Sequence, residues 1–200
     1  MPDPQPSRIG LTGNIACGKS LVAEMLRELG AETIDADRVA HEIMQPGSAV
    51  LDQIAQRFGG HVINQDGSLN RPELGNIVFT DPEALADLES IVHPPTVQAI
   101  LDQVATSIAP VVVIDAIKLF ESGLAEHCGQ IWVVYCDPET QIARLMERNG
   151  LDEASARQRI NAQPPQDEKI ARADVVIDNS GSIAATREQV RRAWERVPVA

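Results

Sequence analysis

The sequence predicts an α/β fold: a parallel sheet of five strands flanked by helices. Three observations carry that reading. A glycine-rich loop, Gly13-Asn14-Ile15-Ala16-Cys17-Gly18-Lys19-Ser20, joins the apolar stretch Ile9 to Leu11 to the helix-like run Leu21 to Leu29. Four further stretches are short, β-branched and apolar nearly throughout: Thr33-Ile34, Val111 to Ile114, Ile131 to Tyr135 and Val175 to Ile177. Helical patterns lie between them. A strand apolar at every position is buried on both faces, as in a parallel sheet whose crossovers are helices, and such a sheet exposes its ligand sites at the carboxyl ends of its strands.

The first element is also the most specific. In a G-x-x-x-x-G-K-S loop, backbone N–H groups converge at a helix N-terminus and surround phosphate oxygens, which points to a nucleoside triphosphate as ligand. Gly13 and Gly18 permit the tight turn, Lys19 is placed to reach the outer phosphates, and the Ser20 hydroxyl is placed to hold Mg²⁺. After the second strand comes Asp35-Ala36-Asp37-Arg38-Val39-Ala40-His41. One of its two acids could accept the proton of an attacking hydroxyl, and either could equally cap the helix that runs to Met44. His41 reads as a packed or surface histidine rather than a base.

From about Asp37 to Ala109 the chain makes an excursion too long for a simple crossover, and it reads as a helical subdomain. Its helical patterns break at Gln45-Pro46-Gly47-Ser48, Gly59-Gly60, Asp66-Gly67-Ser68 and His93-Pro94-Pro95, and Asp81-Pro82-Glu83 opens one helix. The third strand ends in Asp115, either a second Mg²⁺-facing carboxylate or an ordinary strand-end acid. Lys118 and Glu121 follow on one helical face, either as a solvated i,i+3 pair or in contact with ligand. After the fourth strand, Asp137-Pro138-Glu139 opens another helix, and a second excursion carries Arg144, Arg148, Arg157, Arg159, Lys169 and Arg172, six of the chain's 17 lysines and arginines. That cluster is either a cationic lid over phosphates or a solvated helix face. Asp178-Asn179-Ser180-Gly181-Ser182 makes a turn after the last strand, and Ser182 caps a final helix through Arg196.

Composition limits what the chain can do. A formal net charge of −12 over 200 residues gives no basis for a nonspecific grip on nucleic acid or an anionic membrane. Cys17, Cys128 and Cys136 are odd in number and not at metal-ligand spacing, which predicts no disulfide framework or zinc site and a reducing, cytoplasmic compartment. Met1 to Ser7 carries neither a basic segment nor an apolar run and reads as a short disordered tail. No apolar run is long enough to span a bilayer. Cys17 sits where helix N–H dipoles and Lys19 favour a thiolate, or else replaces a small serine and faces the interior.

The loop is followed in order by Asp35-Ala36-Asp37, Leu69-Asn70-Arg71-Pro72-Glu73-Leu74, His93-Pro94, Leu119-Phe120-Glu121-Ser122-Gly123-Leu124, the Arg148 region and Ala173 to Gly181. With this ordered set, from about Arg8 to Val190, the chain resembles the dephospho-coenzyme A kinase family. The resemblance implies a P-loop kinase-like domain with a core over about 7–36, 110–147 and 173–200, a helical substrate subdomain over about 37–109 and a basic lid over about 148–172. It implies transfer of the γ-phosphoryl group of ATP, with Mg²⁺, to the ribose 3′-hydroxyl of dephospho-coenzyme A, the last step of coenzyme A synthesis.

By the same resemblance, Gly13 to Ser20 with Leu21 bind the ATP phosphates, Lys19 and Arg148 serve the transfer with Arg144 as a weaker candidate, and Asp37 is the base. Asp35 supports the substrate or faces the metal, the turn from Asn179 through Gly181 borders the adenine, His93-Pro94 shapes the acceptor's wall, and Ser20 and Asp115 face Mg²⁺. The family's loop commonly reads Gly-Gly-Ile-Gly-Ser-Gly-Lys-Ser, so Asn14, Ala16 and Cys17 are departures, as is Ala116-Ile117-Lys118 where many members have an apolar stretch with proline. Two rivals remain at this point. One is another small-molecule kinase, which would share the loop. The other is a nucleotide switch, suggested by D-x-x-G at Asp178 to Gly181 but without any N-K-x-D segment.

Overall fold

The computed structural model describes residues 6–198. Its elements run β1 (Ser7–Thr12), α1 (Lys19–Glu28), β2 (Glu32–Asp35), α2 (Ala36–Ile43), α3 (Ala49–Phe58), α4 (Arg71–Val78), α5 (Pro82–Thr106), β3 (Val111–Asp115), β4 (Gln130–Tyr135), α6 (Pro138–Asn149), α7 (Glu153–Asn161), α8 (Gln166–Ile170), β5 (Val175–Asp178) and α9 (Ile183–Trp194). The tail expected over Met1 to Ser7 lies largely outside the described residues. Ser7 itself opens β1, because its N–H donates to Pro110 O at 3.0 Å and it pairs with Val111.

The chain divides into two compact units, one formed by the chain up to Ile34 and from Val104 onward, the other by Asp35–Gln103. The first holds a five-stranded parallel sheet in the order β2-β3-β1-β4-β5, with β1 paired in parallel to β3 and β4, and β4 to β5. The three inner strands are as buried as their composition predicts: Val111 to Ile114, Trp132 and Val134 have no exposed surface. The edges are not. Val176 in β5 is 41 % exposed, since an edge strand lacks a neighbour on one side and its faces are covered less completely. Leu26, Met25 and Val22 of α1 and Val190 of α9 close one face of the sheet, each large side chain contributing about 2 kcal/mol by burial. Gly10 in β1 has no room for more: a Cβ there would lie 2.8 Å from Leu119 and 2.9 Å from Cys128 Sγ.

The predicted caps hold. Asp137 accepts from Thr140 N at 2.8 Å to start α6, Asp81 accepts from Glu83 N at 2.9 Å ahead of α5, and Ser182 accepts from Ala185 N at 3.2 Å. The last helix stops at Trp194, two residues before Arg196.

The second unit is helical and has its own core of Val50, Ile54, Phe58, Val62, Leu74, Val78 and Ala84. Three of the four expected breaks are turns, with Gly47, Gly59 and Gly67 at positive φ. The fourth does not exist: α5 continues through His93-Pro94-Pro95. The two prolines remove the N–H donors to the carbonyls of Ser90 and Ile91, but Ile91 and Val92 pack on the unit's core on the N-terminal side of the prolines. No helix among the described residues is long and apolar enough to cross a membrane.

Candidate active site

The loop between β1 and α1 is shaped by its glycines. Gly18 has φ +89°, and a Cβ on it would fall 2.0 Å from Asn179 Nδ2. Gly13 lies so close to β4 that a Cβ would meet Val134 O at 2.6 Å. Ala16 has φ +62° and is the one non-glycine residue with positive φ among the described residues, so the departure from glycine at this position costs about 1 kcal/mol of backbone strain.

Asn179 fastens this loop. Its side chain is 2 % exposed, donates to Cys17 O at 2.8 Å and accepts from Thr186 Oγ1 at 2.9 Å. The residue expected to border an adenine is thus committed to holding the backbone of the loop. Gly181, two residues on, is exposed.

Lys19 opens α1 and is ion-paired with Asp115 at the end of β3, both side chains being nearly buried. Ser20 is exposed and Leu21 half-buried. The loop lysine and the strand-end acid are therefore brought together at the carboxyl ends of β1 and β3.

The basic excursion splits in two. Arg144 turns inward: its Nη2 donates to Asn179 O at 2.8 Å, and its Nη1 is buried with no partner among the described residues, 3.8 Å from the position of a Cβ on Gly18. Arg148, one turn further along α6, is exposed, and its Nε donates to the side chain of Asn149 at 3.0 Å. Arg157 pairs with Glu153 on the surface of α7, and Arg172 lies 3.8 Å over the Phe120 ring. The cluster is thus divided between an arginine turned toward the loop and others that pair, stack or lie exposed on the surface.

The segment around α8 is bonded to the loop, a relation no motif announced. Asn14 Nδ2 donates to Pro164 O at 2.8 Å, Ile15 N to Gln163 Oε1 at 2.7 Å, and Cys17 Sγ to Gln166 Oε1 at 3.0 Å. Two of the departures, Asn14 and Cys17, make these bonds.

Cys17 is fully buried. Its hydrogen bond with the Cys136 thiol holds its pKa below the ordinary value, against the opposing effect of burial; backbone N–H groups of Cys136 and Asn14 and the charge of Arg144 act the same way. The causes differ from those expected, and burial corrects the expectation of reactivity: the thiol fills a serine's place and faces inward. Burial pushes the Cys128 thiol up to about 12. All three cysteines are free.

Lys118 and Glu121 do not share a helix face, because residues 117–122 form turns instead. The turn is held by Thr12 Oγ1 and Lys169 Nζ, which both donate to Ile117 O, at 3.2 and 3.1 Å.

In the helical unit, Asp35 is the N-cap of α2 and accepts from Arg38 N at 3.0 Å. That leaves Asp37, exposed in the first turn, as the acid not spent on capping. His41 is exposed and His93 half-buried in α5. No cluster of three or more histidine, cysteine or acidic residues that could hold a metal occurs among the described residues.

The family model described as dephospho-CoA kinase matches residues 7–185. Dephospho-CoA kinases from Symbiobacterium thermophilum and Syntrophotalea carbinolica are 49 % and 48 % identical, over 93 % and 91 % of this chain and 79 % and 88 % of theirs. The solved dephospho-CoA kinase from Campylobacter jejuni superposes with a TM-score of 0.69 at 30 % identity, covering 95 % of this chain and 96 % of that one. A shikimate kinase from Bacteroides thetaiotaomicron, 16 % identical with a TM-score of 0.55 over 94 % of this chain and 97 % of its own, shares the fold. A phosphate loop pinned by its sheet and backed by a nearly buried lysine–aspartate pair is thus accompanied by similarity over almost the whole length, and the chain belongs to the dephospho-CoA kinase family.

Proposed function

We propose that the chain transfers the γ-phosphoryl group of ATP to the ribose 3′-hydroxyl of dephospho-coenzyme A, with the loop from Gly13 to Leu21 binding the triphosphate. The observation that carries the nucleotide end is the buried Nη1 of Arg144 beside Gly18, without a partner among the described residues: a cation with an unfilled donor beside the loop is suited to an incoming phosphate oxygen. Phosphoryl transfer asks little covalent chemistry of the protein, so these residues act by position and charge. The 3′-oxygen bonds to the γ-phosphorus as the bond to the β–γ bridging oxygen breaks, and ADP leaves.

Asp37 takes the proton of the 3′-hydroxyl. Asp35, by capping α2, fixes the turn that carries Asp37. Lys19 and Arg144 offset charge on the transferring group, with Arg148, at the end of α6 where the lid of α7 and α8 begins, joining them. The helical unit takes the acceptor, with His93 contributing to its wall, and the turn from Asn179 to Gly181 borders the adenine. The donor set fits a Mg²⁺ ion carried in by the triphosphate: the exposed Ser20 hydroxyl and the Asp115 carboxylate would help hold it, and it would supply neutralisation of the charge on the phosphates. Three free cysteines suit a reducing compartment, the cytoplasm.

The test is direct. Purified protein with Mg²⁺ and ATP should convert dephospho-coenzyme A to coenzyme A, identified by product mass and by loss of the free 3′-hydroxyl. Absence of coenzyme A together with turnover of a nucleoside monophosphate or a sugar would reject the assignment.

A further inference from the structure

Lys169 is a cation that the chemistry above leaves unused. It sits on α8 with 5 % of its surface exposed, and its ammonium donates to the carbonyl of Ile117 at 3.1 Å. That carbonyl also accepts from Thr12, the last residue of β1 before the phosphate loop, and Ile117 follows the end of β3 by two residues. The ammonium is therefore held at the carboxyl ends of β1 and β3, where the phosphate-loop lysine also lies.

Three groups act on its charge. Burial lowers the pKa of Lys169, the Lys19 ammonium lowers it further, and Glu121 and Cys17 oppose both. An ammonium has three N–H donors, and the structure gives this one a single neutral acceptor. A buried cation so sparsely compensated, beside a second cation whose own counter-charge is Asp115, is electrostatically incomplete. The natural complement is a polyanion that reaches both ammonium groups at once. A triphosphate in the loop is such a ligand, since Lys19 marks the end at which its outer phosphates lie.

We propose that Lys169 is a second lysine for the transferred group, donating its remaining N–H bonds to γ-phosphate oxygens when the triphosphate is bound. This rests on the reading of the loop as the ATP site. During transfer the bond from the 3′-oxygen to the γ-phosphorus forms and the bond to the β–γ bridging oxygen breaks. The hydroxyl proton goes to Asp37. Lys169 keeps its proton throughout and offsets charge on the equatorial oxygens. Because it also grips Ile117 O, the same contact signals that α8 is seated on the turn after β3.

Two variants separate charge from packing. Lys169→Gln retains an N–H donor for Ile117 O and removes the charge, whereas Lys169→Arg retains the charge. The expected result is a loss of about a hundredfold in kcat for the glutamine variant, with the arginine variant within about tenfold of the parent. Calorimetric titration with inorganic tripolyphosphate, which needs no acceptor, should show binding about tenfold weaker in Lys169→Gln. A third measurement needs no stable variant: in parent protein labelled with ¹⁵N at lysine Nζ, the Lys169 ammonium signal should shift when tripolyphosphate is added. Near-parental kcat and tripolyphosphate affinity in Lys169→Gln, an arginine variant no better than the glutamine one, or an unmoved Lys169 signal would each overturn the proposal. Should tripolyphosphate bind and shift Lys169 while no coenzyme A is formed, the cation site stands and the acceptor assignment falls.

Discussion

Gly18→Ala tests how the phosphate loop is built, and its cost can be worked out from three distances. The residue sits at φ +89°, where a side chain bearing a Cβ costs about 1–2 kcal/mol. Its Cβ would also fall 2.0 Å from Asn179 Nδ2, which is itself held by bonds of 2.8 Å to Cys17 O and 2.9 Å from Thr186. That side chain must therefore move and give up both bonds in a site from which water is excluded, a loss of about 2–4 kcal/mol. The total is about 3–6 kcal/mol, a large part of a domain's usual stability, and corresponds to a fall of roughly 10–20 °C in melting temperature for a chain of this size. Urea unfolding of Gly18→Ala, Asn179→Ala and the double variant gives the numbers. Because Asn179→Ala removes the group that clashes, the double variant should be less destabilised than the sum of the two by more than 1 kcal/mol. A cost below 1 kcal/mol for Gly18→Ala, or strict additivity, would show that the loop is not braced by Asn179.

Other consequences can be checked on the same protein. Asp37→Asn should lower kcat by roughly two orders of magnitude and leave ATP affinity within a fewfold, as expected of a base that acts in the transition state; near-normal turnover would remove Asp37 from that role. Arg144→Ala should reduce kcat/KM for ATP more than Arg148→Ala does, since Arg144 alone of the two has a buried unpartnered nitrogen beside the loop; the reverse order by steady-state kinetics would return the lid role to Arg148. Iodoacetamide should label Cys17 at least tenfold more slowly in the folded protein than in urea, read by peptide mass mapping, because the thiol is buried despite its lowered pKa. Labelling of Cys17 as fast in the native protein as in urea would contradict its burial.

The inner strands, the loop and the capped helix starts were legible because each rests on local chemistry: an unbroken apolar run, a fixed glycine spacing, an acid before proline. What escaped was set by tertiary contact. Pro94 and Pro95 read as a break since proline removes helix donors, yet packing of Ile91 and Val92 on the N-terminal side of the pair goes with an unbroken α5. Lys118 and Glu121 had helix spacing, but the segment is pinned as a turn by Thr12 and Lys169, which are remote in sequence. The sorting of arginines could not be read at all: Arg144 and Arg148 are a turn apart on one helix, and only the position of Asn179 distinguishes them. Asp35 and Asp37 were equal candidates for capping until the backbone at Asp35 adopted extended geometry and took the cap.

The bond from Asn179 to Cys17 spans 162 positions in the chain, and those that Asn14 and Ile15 donate to Pro164 and Gln163 span nearly as many. During synthesis the phosphate loop is made well before Gln141, Gln163, Gln166 and Asn179, whose side chains brace it. Closing such long loops is slow compared with forming a helix or a local turn. The nascent chain thus carries the full nucleotide-binding motif long before it can hold a nucleotide. Affinity for ATP arrives only when β5 has docked and α8 has settled, which makes nucleotide capture a reporter of completed folding rather than an early guide to it.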